Sequence, residues 1–525
     1  MSAAASAVST EWRSRFNPWL IAIPVMLATF MVILDTSIVV VALPYIAGNL
    51  GATQDESTWV LTSYLVANAV ILPASAWFSS FFGRKRFLIA CTLVFTLASA
   101  TCGIAISMSM LVVARVLQGI GGGAMQPLSQ AILLESFPPT QRGTATALFG
   151  LGVVVAPIIG PTLGGWLTDQ YSWRWTFYIN LPVGIAAAIL MLIMIEDPPY
   201  IRAARPSRID ASGFAYMALF LATLQVVLDK GQDADWFAAV WIRWVALICV
   251  GSLIAFIVRE FTTDHPIVDL RVFGNRNFAV SAILFGLFGL SIYALITLQP
   301  LFLQSLLGYP AFDAGLSVTP RGLGALAALL LVGSLDGKVN PKFLVGTGFA
   351  LTAVASFLLS RLTLQISMSS IVVANILSGL GTSFIFVPLT TLAIGTLRNE
   401  QIGNATGIQN LVRNVGGSIG LSYVSTMLQR YAQAHQALMV GHLSQVSPQF
   451  QAQLALLQRA FERGFTAPDA YLKARAMLYR LLLQQSQYWA FVDLFFVVAV
   501  LSAACLVVIP IFRRPVTAHR VSLAE

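Results

Sequence analysis

The sequence predicts an all-α integral membrane protein with fourteen transmembrane helices, arranged as two pseudo-symmetric six-helix halves and two inserted helices. Three observations support this prediction: the composition, the number of long apolar runs and an internal repeat. Of the 525 residues, 57% are hydrophobic and only 10% are charged, whereas a soluble globular protein carries about 25% charged residues. The composition therefore places most of the chain in a lipid bilayer.

Fourteen runs are long and apolar enough to cross a membrane, which takes about 20 residues per helix. They begin near residues 18, 57, 87, 109, 143, 176, 211, 236, 279, 314, 343, 368, 404 and 489. The runs occupy more than half of the chain and leave no soluble stretch large enough for a catalytic domain. We therefore expect a protein that is not an enzyme and that acts within the bilayer.

The distribution of lysine and arginine predicts how the spans are oriented. Arg13 and Arg15 precede the first run, and residues 84–86 (Arg-Lys-Arg) follow the second. Basic residues recur in the even-numbered connections, so the positive-inside rule places both termini in the cytoplasm. The net charge of +9 forms no single basic stripe, which argues against nucleic acid as a partner. We expect the first run to be retained, because it is longer than the apolar region of a signal peptide.

Cysteine, histidine and motif content exclude several kinds of site. The four cysteines lie far apart in apolar runs, so neither a disulfide framework nor a paired-thiol metal site is expected. No histidine lies in an apolar run, which argues against an intramembrane imidazole as proton carrier or haem ligand. The sequence also lacks the P-loop that binds ATP phosphates. We therefore expect no cofactor, with a proton gradient as the energy source.

An internal repeat supports the two-half architecture. Residues 111–121 (LVVARVLQGIG) and 371–381 (IVVANILSGLG) match at an offset of 260 residues. Residues 143–146 (GTAT) and 403–406 (GNAT) match at the same offset. Two such halves around a central cavity are typical of alternating-access carriers. Eight spans separate equivalent points, where a six-helix half would give six, so spans seven and eight are interpreted as an insertion.

These observations divide the chain into four regions. They are an N-terminal six-helix half at residues 1–195, a cytoplasmic linker with the two inserted helices at 196–278, a C-terminal six-helix half at 279–512 and a cytoplasmic tail at 513–525.

The C-terminal half contains one long connection, residues 429–488, which predicts an external helical hairpin. Gly464 is the expected turn, and a second helical pattern from about Pro468 runs into the last span. Apolar residues recur at helical spacing before the turn, at Phe450, Leu454, Leu457 and Phe461. This stripe suits an adaptor helix that docks on the hairpin. Alternatively, the hairpin folds back onto the rim of the carrier or lies on lipid headgroups.

Asp35 and Arg115 are the predicted proton-coupling residues. Asp35 is the only carboxylate well inside a span, and burial favours its neutral form, which makes it a candidate for reversible protonation. At 1.5 Å per helical residue, Arg115 in the fourth span reaches a similar depth. Two interpretations stay open: a proton-linked pair in which Arg115 biases the charge of Asp35, or a static clamp between helices.

Five polar residues in apolar runs are predicted to bind substrate at the interface between the halves, where carriers of this plan bind their ligands. They are Tyr64, Asn68, Gln299, Asn410 and Arg413. Mostly apolar walls with a few polar groups suit varied hydrophobic ligands. Each residue could equally form a hydrogen bond between helices.

Several segments, in order along the spans, carry a resemblance to a known family. They are Leu34-Asp35, Gly83-Arg84-Lys85, Arg115-Val-Leu-Gln118-Gly119, Gly160-Pro161-x-x-Gly164-Gly165, the stretch from Trp173 to Pro182, and Arg413-Asn-Val-Gly-Gly-Ser-Ile-Gly420. Together they resemble the major facilitator superfamily, specifically the fourteen-span drug:proton antiporter family and its EmrB-type exporters. Taken alone, the glycine clusters would be typical of close helix packing.

The resemblance implies a proton-driven exporter of hydrophobic or amphiphilic drugs and toxic compounds in a bacterial inner membrane. It also implies membrane lipids, a periplasmic adaptor protein and an outer-membrane channel as partners. Export of a dedicated endogenous lipid, siderophore or antibiotic is an alternative, and a receptor or scaffold that has lost transport is another.

The sequence departs from the family pattern at two positions. Ser80 replaces the usual acid of the loop motif, which puts a cytoplasmic gate latched by that charge in doubt, and Ala156 replaces a glycine in the fifth span.

Overall fold

The computed structural model describes residues 15–138, 141–197, 210–264, 266–309, 311–335, 338–364, 368–397, 399–441 and 447–512. Within these ranges every long regular element is a helix, which confirms the predicted all-α class.

Fifteen helices of at least 14 residues make up the described fold, and α6 is interrupted for one residue at Ile179. They are α1 Pro18–Leu50, α2 Gln54–Phe82, α3 Arg84–Gly103, α4 Met108–Ser136, α5 Arg142–Gln170, α6 Trp175–Met194, α7 Ala211–Lys230, α8 Val240–Thr262, α9 Arg276–Leu307, α10 Ala311–Leu335, α11 Pro341–Ser360, α12 Met368–Ile394, α13 Asn399–Val440, α14 Pro448–Phe461 and α15 Ala467–Val508. Short 3-10 turns add Trp236–Ala238, Leu270–Gly274 and Ile509–Ile511.

Each of the fourteen predicted spans corresponds to one of these helices, and α14 is the additional helix. In the part of the chain that the structure describes, twelve helices are long and apolar enough to cross a membrane. Of the other two, α2 contains an apolar helical stretch at Trp59–Ser75, whereas α13 is more polar and carries Gln409, Asn410 and Arg413. Both pack within the bundle, where polar side chains face protein rather than lipid.

Local sequence signals explain where the helices begin and end. At the start of α1, the side chain of Asn17 accepts a hydrogen bond from the backbone N–H of Trp19, and Pro18 occupies the first turn. The helix ends at Gly51, whose φ of +64° lies in the left-handed region. A capping box between Thr53 and Glu56 starts α2 directly afterwards. The connection between α1 and α2 is therefore only three residues long, at residues 51–53.

The two halves repeat one packing scheme. In the N-terminal half α1 packs on α5 and α6, α2 on α4, and α3 on α4 and α6. In the C-terminal half α9 packs on α13 and α15, α10 on α12, and α11 on α12 and α15. The correspondence extends to individual glycines: a Cβ at Gly121 would strike the backbone of α3, and one at Gly381, 260 residues later, would strike the backbone of α11.

The inserted helices α7 and α8 pack against each other beside the two halves. α7 also contacts α2 of one half and α13 of the other. The Ser418 hydroxyl donates a hydrogen bond of 3.0 Å to the side chain of Gln225 in α7. At the other contact, the Lys230 ammonium lies 5.6 Å from the centre of the Trp59 ring in α2. The insertion therefore bridges the halves along one flank of the bundle.

The predicted hairpin consists of the end of α13, all of α14 and the beginning of α15. Gly464 lies in the turn between α14 and α15, and α15 runs without a break from Ala467 into the last span, as the sequence pattern predicts. The four stripe residues at positions 450, 454, 457 and 461 are half-buried, because α14 packs on α15. The stripe therefore contacts the chain's own helix.

Buried apolar contacts between the halves lie near one side of the membrane. We call the side that holds the first residue of α1 the terminal side, and the opposite side the distal side. Near the terminal side, one buried apolar cluster includes Phe149 and Phe386 from opposite halves, and these rings stack with centroids 6.3 Å apart. The main distal clusters each contain residues of one half.

Candidate functional site

Asp35 and Arg115 form an ion pair in the interior of the N-terminal half. An Nη1 donor of Arg115 lies 2.5 Å from Oδ2 of Asp35, and both side chains are fully buried. Asp35 comes from α1 and Arg115 from α4, so the structure brings the two predicted coupling residues into direct contact. In such a setting, losing one partner leaves an uncompensated buried charge, which typically costs about 3–5 kcal/mol.

Two amides complete the contacts of Asp35. The side-chain nitrogens of Gln118 and Asn180 each donate to Oδ1 at 2.8 Å. Arg115 in turn donates to Gln118 at 2.7 Å and to the backbone carbonyl of Val60 at 2.9 Å. Helices α1, α2, α4 and α6 therefore meet at one polar cluster. We call these five residues, with Asp35 at the centre, the N-half cluster.

Aromatic side chains shield the N-half cluster. The Tyr64 ring lies 4.2 Å from the guanidinium carbon of Arg115, and the Phe177 ring lies 5.7 Å from it. Both rings are buried. A cation over an aromatic face is attracted by the ring quadrupole, more strongly where water is excluded. The shielding lowers the local dielectric, so a change of charge at Asp35 has a large energetic effect.

The Gly-Pro motif of α5 fixes the position of α1 beside Asp35. A Cβ at Gly160 would lie 2.4 Å from Cβ of Ser37, and one at Gly164 would lie 2.9 Å from the carbonyl oxygen of Ile38. At Gly165 the nearest atom would be 3.9 Å away, an ordinary contact. Gly160 and Gly164 thus permit close approach two to three residues beyond Asp35, and Pro161 lies between them in the helix.

Gly119 likewise permits close approach between two helices, α4 and α2. A Cβ at Gly119 would lie 2.5 Å from the carbonyl oxygen of Tyr64. At its repeat counterpart Gly379, a Cβ would lie 1.9 Å from the carbonyl oxygen of Arg321, which is closer still. Close approach of these helices brings the carbonyl of Val60 within reach of Arg115.

The loop motif after α2 contacts two acidic residues, although Ser80 replaces the acid of the family pattern. Gly83 has a φ of +88°, and a Cβ there would lie 2.8 Å from an Asp197 carboxylate oxygen. The backbone N–H of Lys85 donates to Asp197 at 2.8 Å, and Arg84 pairs with Glu135. Ser80 donates to the carbonyl of its own helix. These contacts join the loop to the end of α4 and to the first residues of the cytoplasmic linker.

The five predicted substrate-binding residues do not form one site. Tyr64 belongs to the shield of the N-half cluster, and Asn68 donates to the Tyr64 hydroxyl at 3.4 Å. Asn410 donates to Gln130 of the other half at 2.8 Å. Arg413 lies 5.8 Å from the Phe386 ring, whereas Gln299 accepts a hydrogen bond from an arginine in α10. All five are at least nine-tenths buried.

A second buried polar cluster lies in the C-terminal half, and sequence reasoning missed its main member. Arg321 of α10 donates to Gln299 of α9 at 2.9 Å, and Asn375 of α12 donates to the backbone carbonyl of Ser317 at 2.8 Å. We call Gln299, Arg321 and Asn375 the C-half cluster. Arg321 was detectable, because it is an arginine inside the apolar run Leu316–Gly333. Asn180 was detectable in the same way, as an amide between apolar residues.

Comparison with known proteins identifies the family. The sequence profile described as Major Facilitator Superfamily matches residues 25–421. The Multidrug export protein EmrB of Escherichia coli (strain K12) is 36% identical over 440 residues, which are 83% of this chain and 85% of that protein. The Fatty acid resistance protein FarB of Neisseria gonorrhoeae is 37% identical over 422 residues, 80% of this chain and 83% of that protein.

A solved structure supports the fold. The structure of the human organic anion transporter MFSD10 (TETRAN) superposes on this one with a TM-score of 0.58 at 13% sequence identity. The superposition covers 93% of this chain and 100% of the MFSD10 chain. The profile match, the relatives and the repeated packing of two six-helix halves agree: the chain belongs to the Major Facilitator Superfamily.

Proposed function

We propose that the protein is a proton-driven exporter of hydrophobic and amphiphilic compounds, including drugs, in a bacterial inner membrane. One observation carries the proposal: a fully buried Asp35–Arg115 pair at the meeting point of four helices. A change in the charge of a carboxylate in that position changes the contacts between α1, α4 and α6 and so the packing of the N-terminal half. The similarity to a multidrug export protein supports drugs as the substrate class.

Asp35 is the proposed proton carrier. Each of its contacts, from Arg115, Gln118 and Asn180, donates a hydrogen bond to the carboxylate, an arrangement that suits the ionised form. A proton on Asp35 removes the ion pair and weakens these bonds. Helix α1 is then freed from α4 and α6, and the change in packing favours the other conformation of the carrier.

The proposed orientation makes this conformation outward-facing. With both termini in the cytoplasm, the terminal side is cytoplasmic, so the halves are closed towards the cytoplasm and separate towards the outside. In this state an exporter releases substrate and takes up a proton. Substrate is proposed to bind between the halves, with Tyr64, Asn68, Gln299, Asn410 and Arg413 as polar groups exposed when the halves move.

Transport by the purified protein in lipid vesicles tests this function. We expect vesicles with an imposed pH gradient to accumulate a fluorescent amphiphilic dye, and a protonophore to abolish the accumulation. Empty vesicles with the same gradient are the control, since lipophilic weak bases distribute with pH unaided. Equal dye accumulation in both kinds of vesicle would contradict the proposal, as would accumulation that survives the protonophore. An exporter dedicated to one endogenous compound would instead transport that compound and not the dye.

The hairpin is the proposed docking site for a periplasmic adaptor, which would pass substrate to an outer-membrane channel. Its apolar stripe packs on the chain's own α15, so docking uses the opposite faces. Leu438 of α13, Leu456 of α14 and Leu472 of α15 each expose more than 60% of their surface. These three leucines are the proposed contacts for the adaptor.

Replacing these three leucines with glutamine should separate docking from transport. We expect export in adaptor-free vesicles to stay unchanged and drug resistance in cells to fall to the level of cells without the protein. The matched control replaces Phe450 and Leu454, which contact α15, and should lower hairpin stability. If the three exposed substitutions abolish transport in vesicles, the surface belongs to the carrier itself and the docking proposal is wrong.

A further inference from the structure

The C-half cluster occupies the place in its half that the N-half cluster occupies in the other. Asn375 lies 260 residues after Arg115, and Gln299, Arg321 and Asn375 come from α9, α10 and α12, which correspond to α1, α2 and α4. The charges are not repeated, because the counterpart of Arg115 is Asn375 and the arginine of this cluster comes from α10. Arg115 faces a carboxylate, whereas Arg321 faces the neutral amide of Gln299.

Most of the hydrogen-bonding capacity of the C-half cluster is unused. Among the described residues, Nε and Nη1 of Arg321 and Nε2 of Gln299 have no acceptor and Oδ1 of Asn375 has no donor, although all four atoms are buried, so unpaired donors outnumber unpaired acceptors in the cluster. Arg321 is 3% exposed and Gln299 is 1% exposed. Buried donors are nearly always paired in folded proteins, so three unpaired donors at one place indicate a missing acceptor.

The charge balance indicates that the missing acceptor is an anion. From residue 276 to residue 512, the described residues include two buried charged side chains, Arg321 and Arg413, and no buried carboxylate. An unpaired cation inside a membrane protein is costly and marks a functional site by default. The C-terminal half therefore carries a buried positive charge that its own described residues do not neutralise.

We propose that the C-half cluster binds the carboxylate of an amphiphilic anion, with Arg321 as the charged partner and Gln299 as an additional donor. A planar guanidinium matches a carboxylate with two parallel hydrogen bonds. Gln299 is flanked on α9 by Leu295 and Phe302, which belong to a buried apolar cluster. An apolar environment around one cation suits an alkyl carboxylate better than a strongly hydrated inorganic ion.

The position of the cluster agrees with access from between the halves. Arg321 lies ten residues into α10, which begins on the distal side, and this places it about 15 Å from that end. On the distal side the two halves form separate apolar clusters. The C-half cluster is closed in this conformation, and movement of the halves gives the carboxylate its access. The inference rests on the proposed export function and names one class of its substrates.

Binding to the purified, detergent-solubilised protein tests the inference without transport. The probes are radiolabelled octanoate and octyltrimethylammonium, which share a chain length and differ in charge, and sodium chloride as an inorganic anion. We expect octanoate to bind the unmodified protein and Arg321→Gln to weaken that binding at least tenfold. Octyltrimethylammonium binding should not change. The control Arg361→Gln removes an exposed arginine outside the cluster and should leave octanoate binding intact.

A second variant tests the same site while keeping the arginine. Gln299→Glu supplies an internal carboxylate where the amide now accepts from Arg321. We expect this variant to lose octanoate binding and to unfold at a higher temperature than the unmodified protein, because the buried cation is then neutralised. Unchanged octanoate binding in both variants would overturn the proposal. So would equal weakening of both probes, or full displacement of octanoate by chloride at an equal concentration.

Octanoate binding and proton-coupled transport are measured separately, so the anion site and the export function can fail separately. Arg321-dependent octanoate binding without transport in vesicles would contradict the proposed export function and leave the anion site standing. Transport of the dye without Arg321-dependent octanoate binding would support the export function and overturn the anion site.

Discussion

Replacing Asp35 with asparagine should abolish export driven by a pH gradient, by at least 100-fold in the initial rate measured in vesicles. The substitution keeps the shape of the side chain but removes the group that is proposed to gain and lose the proton. Exchange of substrate without a gradient should survive, because the halves still move. Gradient-driven export by Asp35→Asn at the unmodified rate would show that Asp35 does not carry the coupling proton.

A structural role for the ion pair makes a different prediction. Asp35→Asn leaves Arg115 as an unpaired buried cation, which costs about 3–5 kcal/mol, so lost export could reflect misfolding. The double variant Asp35→Asn, Arg115→Gln removes both charges and should restore the unfolding temperature. If Asp35 and Arg115 form only a static clamp, the double variant also restores export. If Asp35 carries the proton, the double variant is folded, exchanges substrate and fails to couple.

Joining the halves on the terminal side should stop transport almost completely. The Gln130 and Asn410 side chains meet across the interface at 2.8 Å, within three turns of the terminal ends of α4 and α13. Cysteines at both positions, joined by oxidation or a short thiol crosslinker, would hold the halves together there. We expect export to fall more than tenfold on crosslinking and to return on reduction. Positions 130 and 410 are as buried as the four native cysteines, so the native cysteines are first replaced by serine and oxidation can act only on the introduced pair.

A crosslink inside one half is the matched control. Asn275 is half-buried and Thr396 is exposed, and their side chains form a hydrogen bond of 2.9 Å between the residue before α9 and the residues that follow α12, also near the terminal side. Cysteines at these positions should crosslink without slowing export. If the crosslink between residues 130 and 410 leaves export at the rate of the reduced protein, the contact does not open during transport, and the assignment of this face as the moving gate is wrong.

The number, type and order of the helices followed from sequence because a membrane constrains the chain locally. Every span needs its own apolar run and its own internal hydrogen bonds, so runs such as those beginning near residues 18 and 211 identify their helices directly. α13 shows the limit of this reasoning. Its polar residues lower the apolar signal, and its place in the bundle comes from packing against neighbouring helices.

The N-half cluster could be anticipated in part. The sequence placed Asp35 and Arg115 at one depth, because helical rise converts residue number into depth. It could not place Asn180 or the carbonyl of Val60 beside them, since contacts between helices depend on their rotation and crossing. The substrate candidates illustrate this point. Tyr64 and Asn410 are both polar residues in apolar runs, yet Tyr64 shields an ion pair and Asn410 bonds to the other half.

The sequence by itself determined an all-α membrane carrier with two repeated halves, since apolar runs, basic loops and the 260-residue repeat are properties of the chain. Only the tertiary structure decided which side of the carrier is closed, and only it revealed that Arg321 is a buried cation facing an amide. The physical reason is that charge pairing and closure depend on distances between helices far apart in the chain, and no local pattern encodes these distances.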